Sequence, residues 1–197
     1  MPDRHARVER NTRETQIAIE FRVDGTGESQ IQTGIGFFDH MLTAFARHGL
    51  FDLTVHCIGD LHIDSHHTIE DVGIVLGQAI RQAVADKAGI TRYGQCILPM
   101  DDALLLVALD LSGRPYLSFD ATFTKAQIGQ LDTEMIRDFF YALSYEAGMN
   151  LHIKQLDGNN THHVAEAMFK AFAKALDLAT RMDDRIHGVL STKGSLC

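Results

Sequence analysis

One short pattern occurs twice in this chain, once in each half. Residues 63–73 read IDSHHTIEDVG and residues 158–170 read GNNTHHVAEAMFK, so both contain His-His-x-x-Glu. Equal patterns at matching places indicate an internal duplication. A duplicated chain folds as two similar halves, and we place them at residues 1–93 and 94–197, together forming one compact domain.

The segments around the two patterns follow the same order in both halves. In the first half, apolar periodicity predicts strands at 15–25 and 28–33, a helix at 36–49, a strand at 50–58 and a helix at 68–89. In the second half it predicts strands at 103–113 and 114–122, a helix at 132–148, a strand at 149–157 and a helix at 160–182. Each half is therefore β-β-α-β-α. Alternating strands and helices with one apolar stripe predict the α+β class, with helices on one face of each sheet.

Composition narrows the range of functions. The formal net charge of −8 argues against nucleic acid as a partner, because that binding requires neutralised phosphates. No apolar run is long enough to cross a membrane, and the N-terminal residues lack the apolar core of a signal peptide. Three widely spaced cysteines, at 57, 96 and 197, fit a reducing compartment. These features predict a cytoplasmic protein.

The repeated pattern suits metal binding. On a helix, residues three and four apart share a face, so the glutamate lies near both histidines. Adjacent histidines point about 100° apart, so the natural use of a pair is two ions, each taking one histidine. Imidazole and carboxylate donors suit Zn, Mn, Fe or Ni. Since no cysteine accompanies them, a catalytic centre is favoured over a structural zinc site.

The chain resembles the imidazoleglycerol-phosphate dehydratase family over essentially its whole length. The matching stretches are RNTRET, TGIGFFDHML, ARHGLFDL, DSHHTIEDVGI, GITRYG, MDDAL, DLSGRPY, GNNTHHVAEAMFKAFAKAL and STKG. The resemblance implies a duplicated half-domain like the second domain of ribosomal protein S5. It also implies a homo-oligomeric 24-subunit shell with two manganese ions in each interfacial active site. The chain has no room for the phosphatase domain of some bacterial relatives, which indicates the monofunctional form.

The resemblance also implies a reaction in histidine biosynthesis. Imidazole glycerol phosphate, a phosphorylated small molecule, loses water to give imidazole acetol phosphate. The proton lost is not acidic, so direct elimination is difficult. Two metals on the ring nitrogens would favour an imidazolate, which can expel hydroxide through a diazafulvene-like intermediate before an enol forms and becomes the ketone.

The same resemblance assigns roles to individual residues. The metal ligands it implies are His40, His66, His67, Glu70, His162, His163 and Glu166. The catalytic set is Glu14, Glu70 and Glu166, with Glu14 as acid/base. The residues near substrate or its phosphate are Glu14, His40, His48, His66, Glu70, Arg92, Arg114, His162, Lys170, Ser191, Thr192 and Lys193.

One position departs from the symmetric family pattern. Asp138 is the repeat counterpart of His40, where many relatives have a second histidine. An aspartate that reached the ion would make that site harder and favour Mn, whereas an aspartate too short to reach it would leave the position to water or to another residue. We expect the second outcome, because aspartate is shorter than histidine and the helix cannot shift freely.

Other readings of the residues stay open. A two-metal phosphate-ester hydrolase would use similar ligands, although bridging carboxylates, usually aspartates, are expected there. An S5-like RNA-binding module is opposed by the net charge of −8. A metal-assembled shell without catalysis is the third alternative, and turnover of substrate would exclude it.

Overall fold

The computed structural model describes residues 4–196, so residues 1–3 and Cys197 lie outside it. The strands are β1 (His5–Asn11), β2 (Thr15–Arg22), β3 (Ser29–Gln32), β4 (Asp52–Gly59), β5 (Tyr93–Met100), β6 (Ala103–Asp110), β7 (Tyr116–Asp120), β8 (Gln127–Ile128), β9 (Leu131–Asp132) and β10 (Asn150–Asp157). The helices are α1 (Gly36–Gly49), α2 (His66–Val84), α3 (Glu134–Ala147) and α4 (Thr161–Thr180). No helix within these residues combines the length and apolarity needed to span a membrane.

Two four-stranded sheets repeat one topology. Their strand orders are β1-β2-β4-β3 and β5-β6-β10-β7, and in each the last strand runs parallel to its neighbour. The α+β class and the duplication are therefore confirmed. The first half contains one more strand than predicted, β1, and the second half contains three more, β5 and the short pair β8 and β9, which form a separate two-stranded sheet.

Both β1 and β5 lie at sheet edges, where sequence patterns are weak. β1 buries only Ala6 and Val8 and turns charged side chains outward. β5 contains Gly94 and Pro99, which interrupt a strand pattern but are tolerated at an edge. The order β-β-α-β-α is thus corrected to β-β-β-α-β-α in the first half, and the second half has the same order with the hairpin of β8 and β9 inserted before α3.

Helices of the two halves pack against one another. α1 packs on α4, where Phe45 and Phe172 stack with centroids 5.5 Å apart. α2 packs on α3, and a Cβ at Gly73 or Gly77 would lie 2.8 or 2.6 Å from a carbonyl oxygen of α3. Glycine at both positions therefore allows close approach of the helices. Because α1 of the first half packs on α4 of the second half, His40, on α1, lies beside the start of α4.

The C-terminal segment lies against the junction between the halves. Isolated bridges join Ala88 to Val189 and Ile90 to Met182. The guanidinium of Arg92 also donates to the carbonyl oxygen of Leu190 at 2.7 Å. The segment is thereby held over the edge of the second sheet.

Candidate active site

Both His-His-x-x-Glu patterns lie in the first turn of a helix, α2 or α4. Asn160 caps α4 by accepting hydrogen bonds from the backbone N–H groups of His162 and His163. In α2, the carboxylate of Asp64 accepts the N–H of His66 at 2.8 Å. Asn160 is the N-cap residue of α4, whereas the N-cap residue of α2 is Ser65, whose side chain makes no capping hydrogen bond, so Asp64 lies one residue before the cap. In both helices an Asn or Asp side-chain oxygen satisfies a free amide at the helix start.

Adjacent histidine rings diverge as the helical repeat requires. His66 and His67 have ring centroids 6.0 Å apart with planes 80° apart. The His162 and His163 rings are 6.1 Å apart at 82°. Rings arranged in this way cannot easily face one ion, which supports the expectation that each pair serves two.

Three predicted ligands meet within one chain. His40, His162 and Glu166 offer donor atoms that lie within 4.8 Å of one another. Oε2 of Glu166 lies 3.0 Å from Nε2 of His162 and 3.4 Å from Nε2 of His40. Among residues 4–196 this is the one group of three or more histidine, cysteine or acidic side chains so arranged.

The other oxygen of Glu166 is held by Lys170. Its ammonium lies 2.6 Å from Oε1, so Oε2 is turned toward the histidines. Burial alone would raise the pKa of Glu166, but the hydrogen bond and charge of Lys170, with the His162 hydrogen bond, bring that pKa below its usual value. Glu166 therefore stays ionised and able to bind a cation.

The first pattern forms a second, separate group. Nε2 of His66 lies 3.6 Å from Glu70, and Nε2 of His67 lies 3.8 Å from Oε1 of Glu14. Glu14, in the turn between β1 and β2, is more than half exposed. No hydrogen bond, ion pair or ring contact within residues 4–196 joins this group to the second pattern. Within one chain, therefore, each pattern supplies only part of the predicted ligand set.

Three aspartates that the sequence reasoning did not select contact the second histidine of a pattern, and one of them, Asp101, lies 3.5 Å from Nε2 of His163. Asp60 lies 3.0 Å from Nδ1 of His67, and Asp102 lies 2.6 Å from Nδ1 of His163. The hydrogen bond with Asp60 raises the pKa of His67. The MDDAL stretch contained Asp102, but nothing in its spacing indicated a contact with a histidine far along the chain.

Most of the predicted phosphate residues line one cavity of about 960 Å³. Its walls include the predicted residues Arg92, Arg114, Ser191, Thr192 and Lys193, joined by Arg185 and His187, which were not predicted. Lys170 and His48 do not line it. Lys170 instead contacts Glu166. The pKa of His48 is lowered by burial and, to a smaller extent, by the charges of Lys170 and Lys174.

Arg92 is tightly held at the cavity wall. Its guanidinium makes a bidentate ion pair with Asp110 at 2.7 and 3.0 Å and lies 4.7 Å from the ring centroid of Tyr93. The Asp110 hydrogen bond raises the pKa of Arg92. Its backbone has φ of +69°, a strained value for a residue with a Cβ. Such strain at a non-glycine residue is typical of functional sites.

Asp138 lies on α3, which packs on the helix that carries His66 and Glu70. Its carboxylate is 3.6 Å from Arg137 and does not join a three-residue donor group within residues 4–196.

We therefore expect Asp138→Ala to keep both ions per site and most of the activity, because the carboxylate is partly exposed and shares its contact with Arg137. A surface substitution of this kind changes the free energy of unfolding by about 0.5 kcal/mol or less. Metal content per chain and steady-state rate are the measurements. Loss of one ion per site would instead identify Asp138 as a ligand.

Comparison with known proteins identifies the relatives of this chain. The family model for imidazoleglycerol-phosphate dehydratase matches residues 33–176. The chain is 62% identical over 194 residues to the imidazoleglycerol-phosphate dehydratase of Lachnoclostridium phytofermentans, covering 98% of this chain and 99% of that one. The Acetivibrio thermocellus enzyme of that name is 61% identical over 194 residues, covering 98% of this chain and 100% of the relative.

Solved structures agree with the sequence relatives. Imidazoleglycerol-phosphate dehydratase from Staphylococcus aureus superposes with a TM-score of 0.83 at 41% identity, covering 91% of this chain and 99% of that one. The enzyme from Pyrococcus furiosus gives a TM-score of 0.84 at 40% identity, covering 96% of this chain and 100% of that one. The likeness therefore extends through both halves.

Proposed function

Because the chain belongs to the imidazoleglycerol-phosphate dehydratase family of histidine biosynthesis, we propose that it acts as a metal-dependent carbon–oxygen lyase on imidazole glycerol phosphate. The observation that carries the metal dependence is the group formed by His40, His162 and Glu166. Two imidazoles and a carboxylate fit a divalent transition metal such as Mn²⁺, and no thiol competes within the group.

We propose two ions because the predicted ligands form two separate sets within the chain, one around each His-His-x-x-Glu pattern. His40, His162 and Glu166 would hold one ion, and the divergent ring of His163 would serve another. His66, His67 and Glu70 form the complementary set elsewhere on the chain. We therefore place each complete site between subunits of a closed, symmetric homo-oligomer, and we propose the 24-subunit shell that the family resemblance implies.

The cavity beside Arg92 is the proposed place for the substrate phosphate. Arg114 and Lys193 line it with the hydroxyls of Ser191 and Thr192, so cations and hydroxyl donors converge there. This combination suits a phosphate group. Lys170 is better explained as the residue that orients Glu166, since its ammonium lies 2.6 Å from that carboxylate.

In the proposed chemistry, the imidazole ring of the substrate supplies the electrons that expel hydroxide, and the protein removes the proton. When bound, Mn²⁺ supplies Lewis acidity at the imidazole nitrogens and favours the imidazolate form of the ring. The electron-rich ring expels the hydroxyl of its attached carbon as hydroxide and leaves a diazafulvene-like species. Glu14 takes the proton from the next carbon, so the enol forms and then becomes the ketone, while hydroxide and proton leave as water.

A turnover assay tests this function against the alternatives. Incubation of the purified Mn²⁺-loaded chain with imidazole glycerol phosphate should give an enolisable ketone without release of inorganic phosphate. Phosphate release without ketone would instead support the hydrolase, and no turnover would favour the non-catalytic shell. We further propose a cytoplasmic location, because Cys57 and Cys96 are free thiols, as a reducing compartment favours.

We expect metal removal to dissociate the assembly. If the two patterns meet only across a subunit contact, metal-binding free energy contributes to assembly. Dialysis against a chelator should therefore shift the particle toward smaller species in a sedimentation-velocity experiment, and added Mn²⁺ should restore it. An unchanged profile after verified metal removal would contradict this coupling.

A further inference from the structure

The second histidine of each pattern contacts a carboxylate in the same way, although the carboxylates come from different parts of the fold. Asp60 follows β4 and lies 3.0 Å from Nδ1 of His67. Asp102 lies in the turn between β5 and β6, 2.6 Å from Nδ1 of His163. β4 corresponds to β10 in the other half, and Asp157, which ends β10, accepts the N–H of Gly158 instead.

The duplication therefore does not account for the shared contact. An inherited contact would use counterpart positions, whereas Asp60 and Asp102 belong to different connections of the repeated topology. The same ring nitrogen is nevertheless held by a carboxylate in both halves. A common requirement of the two rings is the simplest physical reason for this.

We propose that Asp60 and Asp102 are positioning residues that hold Nδ1–H of His67 and His163 and present Nε2 of each ring to metal. An ionised carboxylate only accepts hydrogen bonds, so it selects the tautomer with the proton on Nδ1. The lone pair of Nε2 is then free, and hydrogen bonding at the far nitrogen makes the ring a stronger ligand. This inference rests on the proposed metal-dependent function.

The surroundings of each aspartate suit this role. One oxygen of Asp102 accepts the backbone N–H groups of Asn159 and Asn160 at 2.8 and 2.9 Å, which leaves the other oxygen for His163. Those amides hold the pKa of Asp102 well below its usual range. Asp60 has one oxygen on His67, and its other oxygen is buried without a hydrogen-bond partner. The contact with His67 is therefore the main one that Asp60 makes.

Asparagine substitution tests the carboxylates with little change of shape. In Asp102→Asn, the carbonyl oxygen can keep the two backbone amides, which turns the NH2 group toward Nδ1 of His163 and favours the wrong tautomer. We expect Mn²⁺ affinity to fall roughly 10- to 100-fold, as for other residues that support a ligating histidine. Asp60→Asn should lower the affinity in the same direction. The exposed Asp120, paired with Lys154, provides Asp120→Asn as a charge-matched control.

The measurement is titration of the metal-free full-length chain with Mn²⁺, with free ion followed by its paramagnetic resonance signal. Support requires weaker binding in both variants, metal-free melting temperatures like that of the parent chain, and a rate that recovers at excess Mn²⁺. Parent-like affinity in both variants would overturn the inference while leaving the proposed function intact. If both variants lose Mn²⁺ affinity and both also have lowered metal-free melting temperatures, the loss reflects a weakened fold and would also overturn the inference. No Mn²⁺ binding by the parent chain would overturn both.

Discussion

Replacing His67 or His163 with alanine is expected to remove bound metal and dehydratase activity together. Each histidine is the second of its pair, and its ring diverges by about 80° from its neighbour's: the plane angles are 80° and 82°. The neighbouring histidine therefore cannot take over the missing contact. We expect a loss of Mn²⁺ affinity greater than the roughly 10- to 100-fold effect of residues that only support a ligand.

The measurement is metal content per chain after dialysis, taken beside the rate of ketone formation. His56 provides the matched control, because it is exposed on the outer face of β4, away from both patterns. His56→Ala should keep metal and rate. Full metal occupancy in His67→Ala or His163→Ala would contradict the ligand assignment.

The sequence predicted the parts of the site that depend on local geometry. Within α2 and α4, the spacing of His66 to Glu70 and of His162 to Glu166 is set by the helical repeat, so their proximity follows from the sequence. Ring divergence follows from the same repeat. The approach of His40 to Glu166 is different, since it depends on the packing of α1 on α4 and was expected only from the family resemblance.

Contacts between distant segments could not be predicted from spacing. Asp102 reaches His163 because the turn after β5 lies beside the start of α4, and no local pattern encodes that arrangement. Spacing likewise could not predict the ion pair of Arg92 with Asp110, which joins the segment between the two halves to the second sheet. The resemblance assigned Lys170 to the phosphate, and that assignment stays a prediction. The structure places Lys170 one turn beyond Glu166 on α4, with its ammonium 2.6 Å from that carboxylate.

Glu14→Gln is expected to abolish turnover while metal remains bound. Glu14 is more than half exposed in the turn between β1 and β2, and Oε1 lies 3.8 Å from Nε2 of His67. The Glu14 carboxylate therefore lies beside the nitrogen that is proposed to bind metal, and it is not part of the group formed by His40, His162 and Glu166. A glutamine of equal size cannot accept the proton from the substrate carbon. Loss of a positioned acid/base costs about 10²- to 10⁴-fold in rate.

Two measurements separate this role from metal binding. Mn²⁺ content of Glu14→Gln should equal that of the parent chain, whereas ketone formation at saturating substrate should fall by about 10²-fold or more. Glu20→Gln is the matched control, because Glu20 lies on β2 and pairs with Arg7 at 3.0 Å, outside the candidate site. A near-normal rate in Glu14→Gln would remove Glu14 from the mechanism. Loss of metal together with rate would make Glu14 a ligand, since a carboxylate that only moves protons leaves the ions in place.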